Sequence, residues 1–199
     1  MREAQISVWE VIDAAATKPF GFMPFYPGPG IGGHCIPLDP HYISWKLKTL
    51  NFYSKFIELA AEINGSMPEH VVRKLVDVLN EDGKSVRGSR IFVLGVAYKR
   101  DTSDVRESPA LDVIRLLEER GAKIRFHDPH VERIRIEEGN GYRRSPLTEK
   151  SLAASDCVVI VTDHSSYDYA CIVRHARRVL DTRNATRAVK GRRDRIMRL

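Results

Sequence analysis

Cys35 follows a run of glycines in the stretch "GPGIGGHCIPLDP" (28–40). A thiol in such a setting is a candidate nucleophile. Glycine lets the backbone approach a ligand closely, and N–H groups beside the sulfur can hold the oxyanion that forms when it attacks a carbonyl. A lone cysteine is also commonly an inert buried thiol, and spacing alone leaves both readings open. Gly28, Gly30 and Gly33 spell G-x-G-x-x-G, the fingerprint of a dinucleotide turn. That fingerprint needs a strand before the first glycine and a helix opening at the third. Here "MPFYP" precedes it and "HCIPLDP" follows, so neither flank fits. A zinc site from His34, Cys35 and His41 matches no usual ligand spacing, and Cys157 and Cys171 fall in separate core elements, so no metal is expected. Asp39, four residues past Cys35, reads as a turn former or as the cap of a helix.

The elements that must position these residues fall into two regions. In the first, 7–17 has helical spacing, with Val8, Val11, Ile12 and Ala15 on one face. Residues 18–40, rich in Pro, Gly and aromatics, read as a long shaped loop. From His41 to Ile63 the pattern is helical, with a stripe of Phe52, Phe56, Leu59, Ala60 and Ile63 widened by Tyr53, Ile57 and Ala61. So apolar a helix wants a neighbouring domain or another subunit. "NGS" ends it at Gly65. Ser66 with Glu69 then forms a capping box for a helix carrying Val71, Val72, Leu75, Val76 and Leu79.

The second region, from about Ser89, alternates strands (90–98, 123–128, 157–163, 177–183) with helices (108–121, 145–155, 167–176). Near-continuous apolar strands in this order predict an α/β fold, a Rossmann-like parallel sheet covered on both faces. Its first βα turn, "VLGVAYKRDTSD" (93–104), holds one glycine. The topology is therefore nucleotide-binding without the NAD fingerprint. Lys99, Asp128 and Asp163 fall at the C-terminal ends of the strands, where ligands bind in such sheets. Lys99 reads there as a binding residue or as a solvated strand-end lysine. The expected organisation is a helical region with the Cys loop (1–84), an α/β domain (85–186) and a basic tail (187–199).

Composition narrows the classes. The chain has 199 residues, 43% hydrophobic and 29% charged, with a net charge of +6. Six Arg/Lys against one Asp in residues 187–199 supply +5 of that charge. The body is near neutral, and no aromatics interleave with the basic tail. Nucleic acid is therefore not an expected partner, and the tail reads as solvated and frayed. No apolar run reaches the length of a membrane span, and no signal core opens the chain. Three widely spaced cysteines suit a reducing cytoplasm.

"PGPGIGGHCIPLDPHYISWK" resembles the catalytic-cysteine segment of the UDP-glucose/GDP-mannose dehydrogenase family. "GVAYKRDTSDVRESPA" (95–110) is similar to that family's second signature and "VLDTRN" (179–184) to its third. The likeness runs from about Ser7 to Asn184. Its wording is nearest the branch acting on UDP-N-acetylglucosamine or its epimers, with UDP-N-acetylglucosamine favoured.

The resemblance implies a C-terminal half: the end of a central helical domain followed by a UDP-sugar-binding domain. An NAD-binding N-terminal half would be the partner that is missing, and it would hold most of the cofactor. The 41–63 helix would drive a homodimer. The implied chemistry is a double oxidation of a sugar C6 alcohol, with Cys35 forming a thiohemiacetal and then a thioester. Asp39 would assist proton transfer and order water. The substrate contacts implied are Lys99 with Tyr98 beside it, Gly32, and Arg183, an arginine that reaches a neighbouring site. Phe25 and Tyr26 lie in the sugar-nucleotide loop, with core packing equally open. Gly33 and Arg106 would lie near the cofactor, although Arg106 also reads as a salt bridge with Glu107 or Asp104. By itself the chain is expected to bind UDP weakly and to lack dehydrogenase activity. The competing readings are a non-catalytic UDP-sugar-binding or dimerisation module and a cysteine hydrolase, which lacks a well-placed base.

Overall fold

The structure, a computed structural model, describes residues 6–137 and 139–199. Helix α1 (Val8–Ala16) opens at Ser7, whose hydroxyl accepts from the Glu10 N–H. An extended loop leads to α2 (Cys35–Lys48), and a short connection leads to α3 (Lys55–Glu81). Then follow β1 (Arg90–Leu94), α4 (Pro109–Glu119), β2 (Lys123–His127), β3 (Arg133–Arg135), β4 (Gly141–Arg143), α5 (Glu149–Ala154), β5 (Cys157–Ile160), α6 (Tyr169–His175), β6 (Val179–Asp181) and β7 (Ile196–Arg198).

The five-stranded sheet has the order β2-β1-β5-β6-β7 and every pairing in it is parallel. Alternation along each strand divides the core into two layers. Ile91, Val93, Cys157, Val159 and Leu180 pack against Val72, Leu75 and Leu79 of α3 and Val113 and Leu117 of α4. Phe92, Leu94, Val158, Ile160 and Val179 pack against Leu152 of α5 and Ile172 and Val173 of α6. This is the α/β arrangement that the strand pattern predicts. Among the described residues no helix is long and apolar enough to cross a membrane.

Four local expectations are corrected. The 41–63 helix is two helices: α2 ends at Lys48, Asn51 takes a left-handed φ of 59°, and α3 begins at Lys55. No new helix starts at Ser66, because α3 runs unbroken for 27 residues through Gly65 and Pro68. The polar side chains there bond to their own helix instead of capping: Asn64 Nδ2 donates to the Ala60 carbonyl and Ser66 Oγ to that of Ile63. From Pro68 onward α3 buries its face on the sheet, and that packing overrides the local stop signals.

The short helix of the second region opens not at Ser145 but at Thr148, whose hydroxyl accepts from the Ser151 N–H. The basic tail is not frayed. Ile196–Arg198 extend the sheet beside β6, with Met197 and Leu199 packed on one layer and Ile196 on the other.

Candidate functional site

Cys35 is the first residue of α2, so the glycine loop ends at it and does not surround it. The Cys35 and Ile36 N–H groups belong to the first turn, which has no carbonyl one turn back to bond. Asp39 sits one turn further along the same helix, inside it and exposed, so it neither caps a helix nor forms a turn. The Cys35 thiol is exposed.

Glycine is required where this loop docks. Cβ atoms built on Gly32 and Gly33 would lie 2.7 Å and 2.9 Å from the Tyr98 side chain. Gly33, at φ +95°, also donates its N–H to the Arg106 carbonyl at 3.1 Å. Two residues before Cys35, the loop is therefore seated on the turn that follows β1.

That turn lies at the C-terminal ends of β1 and β5, where the strand order reverses. Tyr98 and Lys99 are exposed there and line a crevice with Gly30, Pro109, Thr162 and Arg183. Gly95, at φ +79°, touches the next loop so closely that a Cβ would lie 2.3 Å from the Thr162 carbonyl.

A buried carboxylate fixes the turn. Asp128, fully buried at the end of β2, accepts from the Val96 and Ala97 N–H groups at 2.7 and 3.1 Å. It also accepts from His130 and Val131 at 2.8 and 3.2 Å. His164, also fully buried, places Nε2 2.9 Å from the same carboxylate, and its Nδ1 accepts from the Asp101 N–H at 3.0 Å. Nε2 therefore carries the proton. Burial pushes the Asp128 carboxyl up, but the His164 contact and the backbone donors overcome it and hold the group at about 2.

These bonds bear on the cofactor. In a dinucleotide cradle the N–H groups of the first βα turn face the pyrophosphate. Here those of Val96 and Ala97 are committed to Asp128. The turn does not fit a dinucleotide, in agreement with its lone glycine.

Arg183 stands against the glycine loop, where a Cβ on Gly28 would lie 2.5 Å from its Nη1. Its Nε pairs with Asp163 at 3.4 Å, and Asp163 also pairs with Arg100. Arg183 thus joins the crevice to a larger cleft of about 290 Å³ lined by Trp9, Asp13, Tyr26, Tyr169, Asn184 and Arg187. Tyr26 is not core-packed. Its ring stacks on Trp9 at 5.6 Å and its hydroxyl donates to Asp13. Phe25 is 76% exposed and lines neither cleft. Arg106 makes its salt bridge with Asp104, at 2.7 Å. That contact raises its pKa most, and the nearby Tyr98 and Cys35 raise it further.

Trp9, Arg100, Tyr169 and Asn184 were missed by sequence reasoning. Asn184 Oδ1 and Trp9 Nε1 are buried without a hydrogen-bond partner among the described residues and border the larger cleft. The left-handed turn that places Asn184 (φ 53°) carries no signal beyond the "TRN" triplet.

An apolar groove of about 490 Å³ runs beside Cys35 between α2 and α3, lined by Ile36, Pro40, Phe56, Ala60 and Pro68. Around it Tyr42, Trp45 and Phe56 are 70%, 68% and 88% exposed. Beneath them, Ser44 Oγ donates to Glu58, which also pairs with Lys48, and these bonds fasten α2 to α3.

Comparison with known proteins agrees with this geometry. Residues 92–188 match the UDP-binding domain of the UDP-glucose/GDP-mannose dehydrogenase family, and residues 1–66 match its central domain. The UDP-N-acetyl-D-mannosamine dehydrogenase of Methanococcus maripaludis C7 is 35% identical over 190 residues, covering 92% of this chain and 41% of the relative. The UDP-N-acetyl-D-glucosamine 6-dehydrogenase of Salmonella typhi is 29% identical, over 79% of this chain and 36% of the relative. A solved UDP-D-ManNAc dehydrogenase from Pyrococcus horikoshii superposes with a TM-score of 0.77 at 30% identity, over 92% of this chain and 42% of that one. The chain thus spans about two fifths of the length of the curated relatives it matches. Its two matched segments, in family order and on a shared fold, make it a member of the UDP-glucose/GDP-mannose dehydrogenase family.

Proposed function

We propose that this chain supplies the UDP-sugar-binding and thiol-bearing part of a dehydrogenase that oxidises C6 of a UDP-N-acetylhexosamine to the carboxylate. One observation carries the reading: the glycine loop that ends at Cys35 is seated on Tyr98, beside Lys99, at the crevice where a parallel sheet binds its ligand. Lys99 and Arg183 hold the diphosphate, and Gly32 lets the backbone come close to the sugar. Tyr26, with Trp9, lines the cleft next to it, and Phe25, exposed on the same loop, would contact the sugar nucleotide only once it is bound.

A nicotinamide cofactor, when bound, accepts the hydride removed at each oxidation. Arg106, exposed and ion-paired with Asp104, and the buried Gly33, whose N–H donates to the Arg106 carbonyl, would lie on the side of the loop that meets such a cofactor. The turn after β1 does not fit its pyrophosphate, which is assigned to a partner domain. Once C6 is an aldehyde, the Cys35 thiolate adds to its carbon, and the Cys35 and Ile36 N–H groups face the resulting oxyanion. The thiohemiacetal keeps the hydrogen that the second oxidation removes and prevents escape of the aldehyde. Water then cleaves the thioester, with Asp39 orienting it and taking its proton.

In this reading residues 1–84 end a central dimerisation domain, 85–186 bind the UDP-sugar, and 187–199 complete the sheet edge. The exposed face of α2 and the first half of α3 meets a second copy, and the free thiols suit a reducing cytoplasm.

The test has two arms. Calorimetry on the chain should detect UDP binding, weakened in Lys99→Ala by about 1.5–3 kcal/mol, the worth of a charge-assisted contact. Paired with the N-terminal half of a relative, the chain should produce NADH from UDP-N-acetylglucosamine or its C2 epimer, and Cys35→Ser should stop turnover. Undiminished turnover in Cys35→Ser would favour a binding module, and absence of UDP binding would remove the crevice from the reading.

A further inference from the structure

We propose that Glu149, Cys171 and His175 form a binding site for a thiophilic divalent cation such as zinc, on the sheet face opposite α3. Two short helices build it. Cys171 and His175 lie one turn apart on α6, and Glu149 is the first residue of α5. Asp168 accepts from the Cys171 N–H at 2.9 Å and so fixes the turn that presents the thiol.

One side-chain ligand atom from each residue lies within 4.8 Å of the other two. His175 Nε2 stands 3.5 Å from Glu149 Oε2. A tetrahedral zinc with bonds of about 2.1 Å would set a nitrogen and an oxygen about 3.4 Å apart. Cys171 is half-buried in the crease between the helices, not sealed in the core as its sequence setting implies.

The imidazole is already oriented as a metal ligand requires. His175 Nδ1 lies 3.0 Å from the Cys171 carbonyl, to which it donates, and 3.5 Å from the Cys171 Sγ, so the thiol turns from that ring edge toward Nε2 when it ligates. That bond fixes the tautomer and leaves the Nε2 lone pair facing Glu149, the usual outer-shell arrangement of a ligating histidine. A second cluster, Asp101, His130 and His164, has similar spacing but fails this criterion. Both nitrogens of His164 are engaged, one with the Asp101 N–H and the other with Asp128, so no lone pair remains. Glu149 is 72% exposed, so the fourth position of the proposed site opens to water and the bound cation exchanges.

The test uses cobalt(II) as an optical stand-in for zinc, and its readout is independent of the crevice chemistry. One equivalent should give the near-ultraviolet thiolate-to-cobalt charge-transfer band and should raise the melting temperature of the chain. The band should persist in Cys35→Ser and vanish in Cys171→Ser. His175→Ala should weaken binding by roughly tenfold or more. Equal metal-free melting temperatures for the wild type and Cys171→Ser would establish that the variant folds. If that temperature falls, the band in His175→Ala and Cys35→Ser decides alone. A band that disappears with Cys35, or no band at stoichiometric cobalt, would overturn the site.

Discussion

Asp128→Asn tests whether the crevice turn is held by a buried charge. The carboxylate accepts four backbone N–H bonds and the His164 contact, and these hold its pKa at about 2 against an ordinary 3.8. At about 1.36 kcal/mol per pH unit, that drop corresponds to about 2 kcal/mol of stability that depends on the ionised form. Asparagine removes the charge and also turns an amide N–H₂ toward groups that are themselves donors. Urea unfolding at pH 7 should therefore show a loss of about 2 kcal/mol or somewhat more.

The sign of the pH dependence follows from a depressed carboxylate. Its contribution is complete above pH about 3.8 and disappears as the pH falls toward about 2. The stability of the wild type should decline across that window, and the variant should lack this component. UDP affinity should fall as well, because the displaced turn carries Tyr98 and Lys99. A loss below about 1 kcal/mol, with the acid slope unchanged, would refute the reasoning, since such a value is ordinary for an uninvolved surface site.

Three further outcomes are expected. Gly33→Ala sets a Cβ against the Tyr98 ring at a left-handed φ, costing about 1–3 kcal/mol; an unchanged melting temperature would contradict the docking of the loop. Deleting residues 196–199 exposes the edge of β6 and the core under Met197 and Leu199; it should lower the melting temperature by several degrees, whereas a dispensable tail would leave it alone. The chain should scatter light as a dimer at tens of micromolar, and Phe56→Glu should convert it to a monomer; a wild-type monomer would leave the apolar face of α2 and α3 without its proposed partner.

The sheet was legible because fully buried parallel strands leave apolar runs, such as Ile91–Leu94 and Cys157–Ile160, that little else produces. Ser108 before Pro109 likewise marked the start of α4. The flanks of the glycine motif were read half correctly: no strand precedes Gly28, but a helix, α2, opens at Cys35, two residues after Gly33. The break between α2 and α3 was hidden because apolar spacing continues through Phe52 and Tyr53 in the connection. The passage of α3 through Gly65 and Pro68 was hidden because it depends on packing with a sheet that starts 22 residues later. Strand β7 has three residues, Ile196, Met197 and Arg198, all on the sheet's edge, which is too short for a period to emerge. In the candidate site, Lys99 and Asp128 could be placed at strand ends. The bond from Asp128 to His164 spans 36 residues and could not be read from either neighbourhood.

The continuity of α3 has a mechanical consequence. At about 1.5 Å of rise per residue, its 27 residues form a beam about 40 Å long. One end is fastened to α2, which begins at Cys35, and the other is set into the sheet beneath the crevice. The thiol and the crevice are thus mounted on a single member and cannot swing apart as two lobes on a hinge. Under the proposed function, a partner domain that closes over the crevice would meet Cys35 and Lys99 already in register, so the travel needed to assemble the site would fall to the incoming domain.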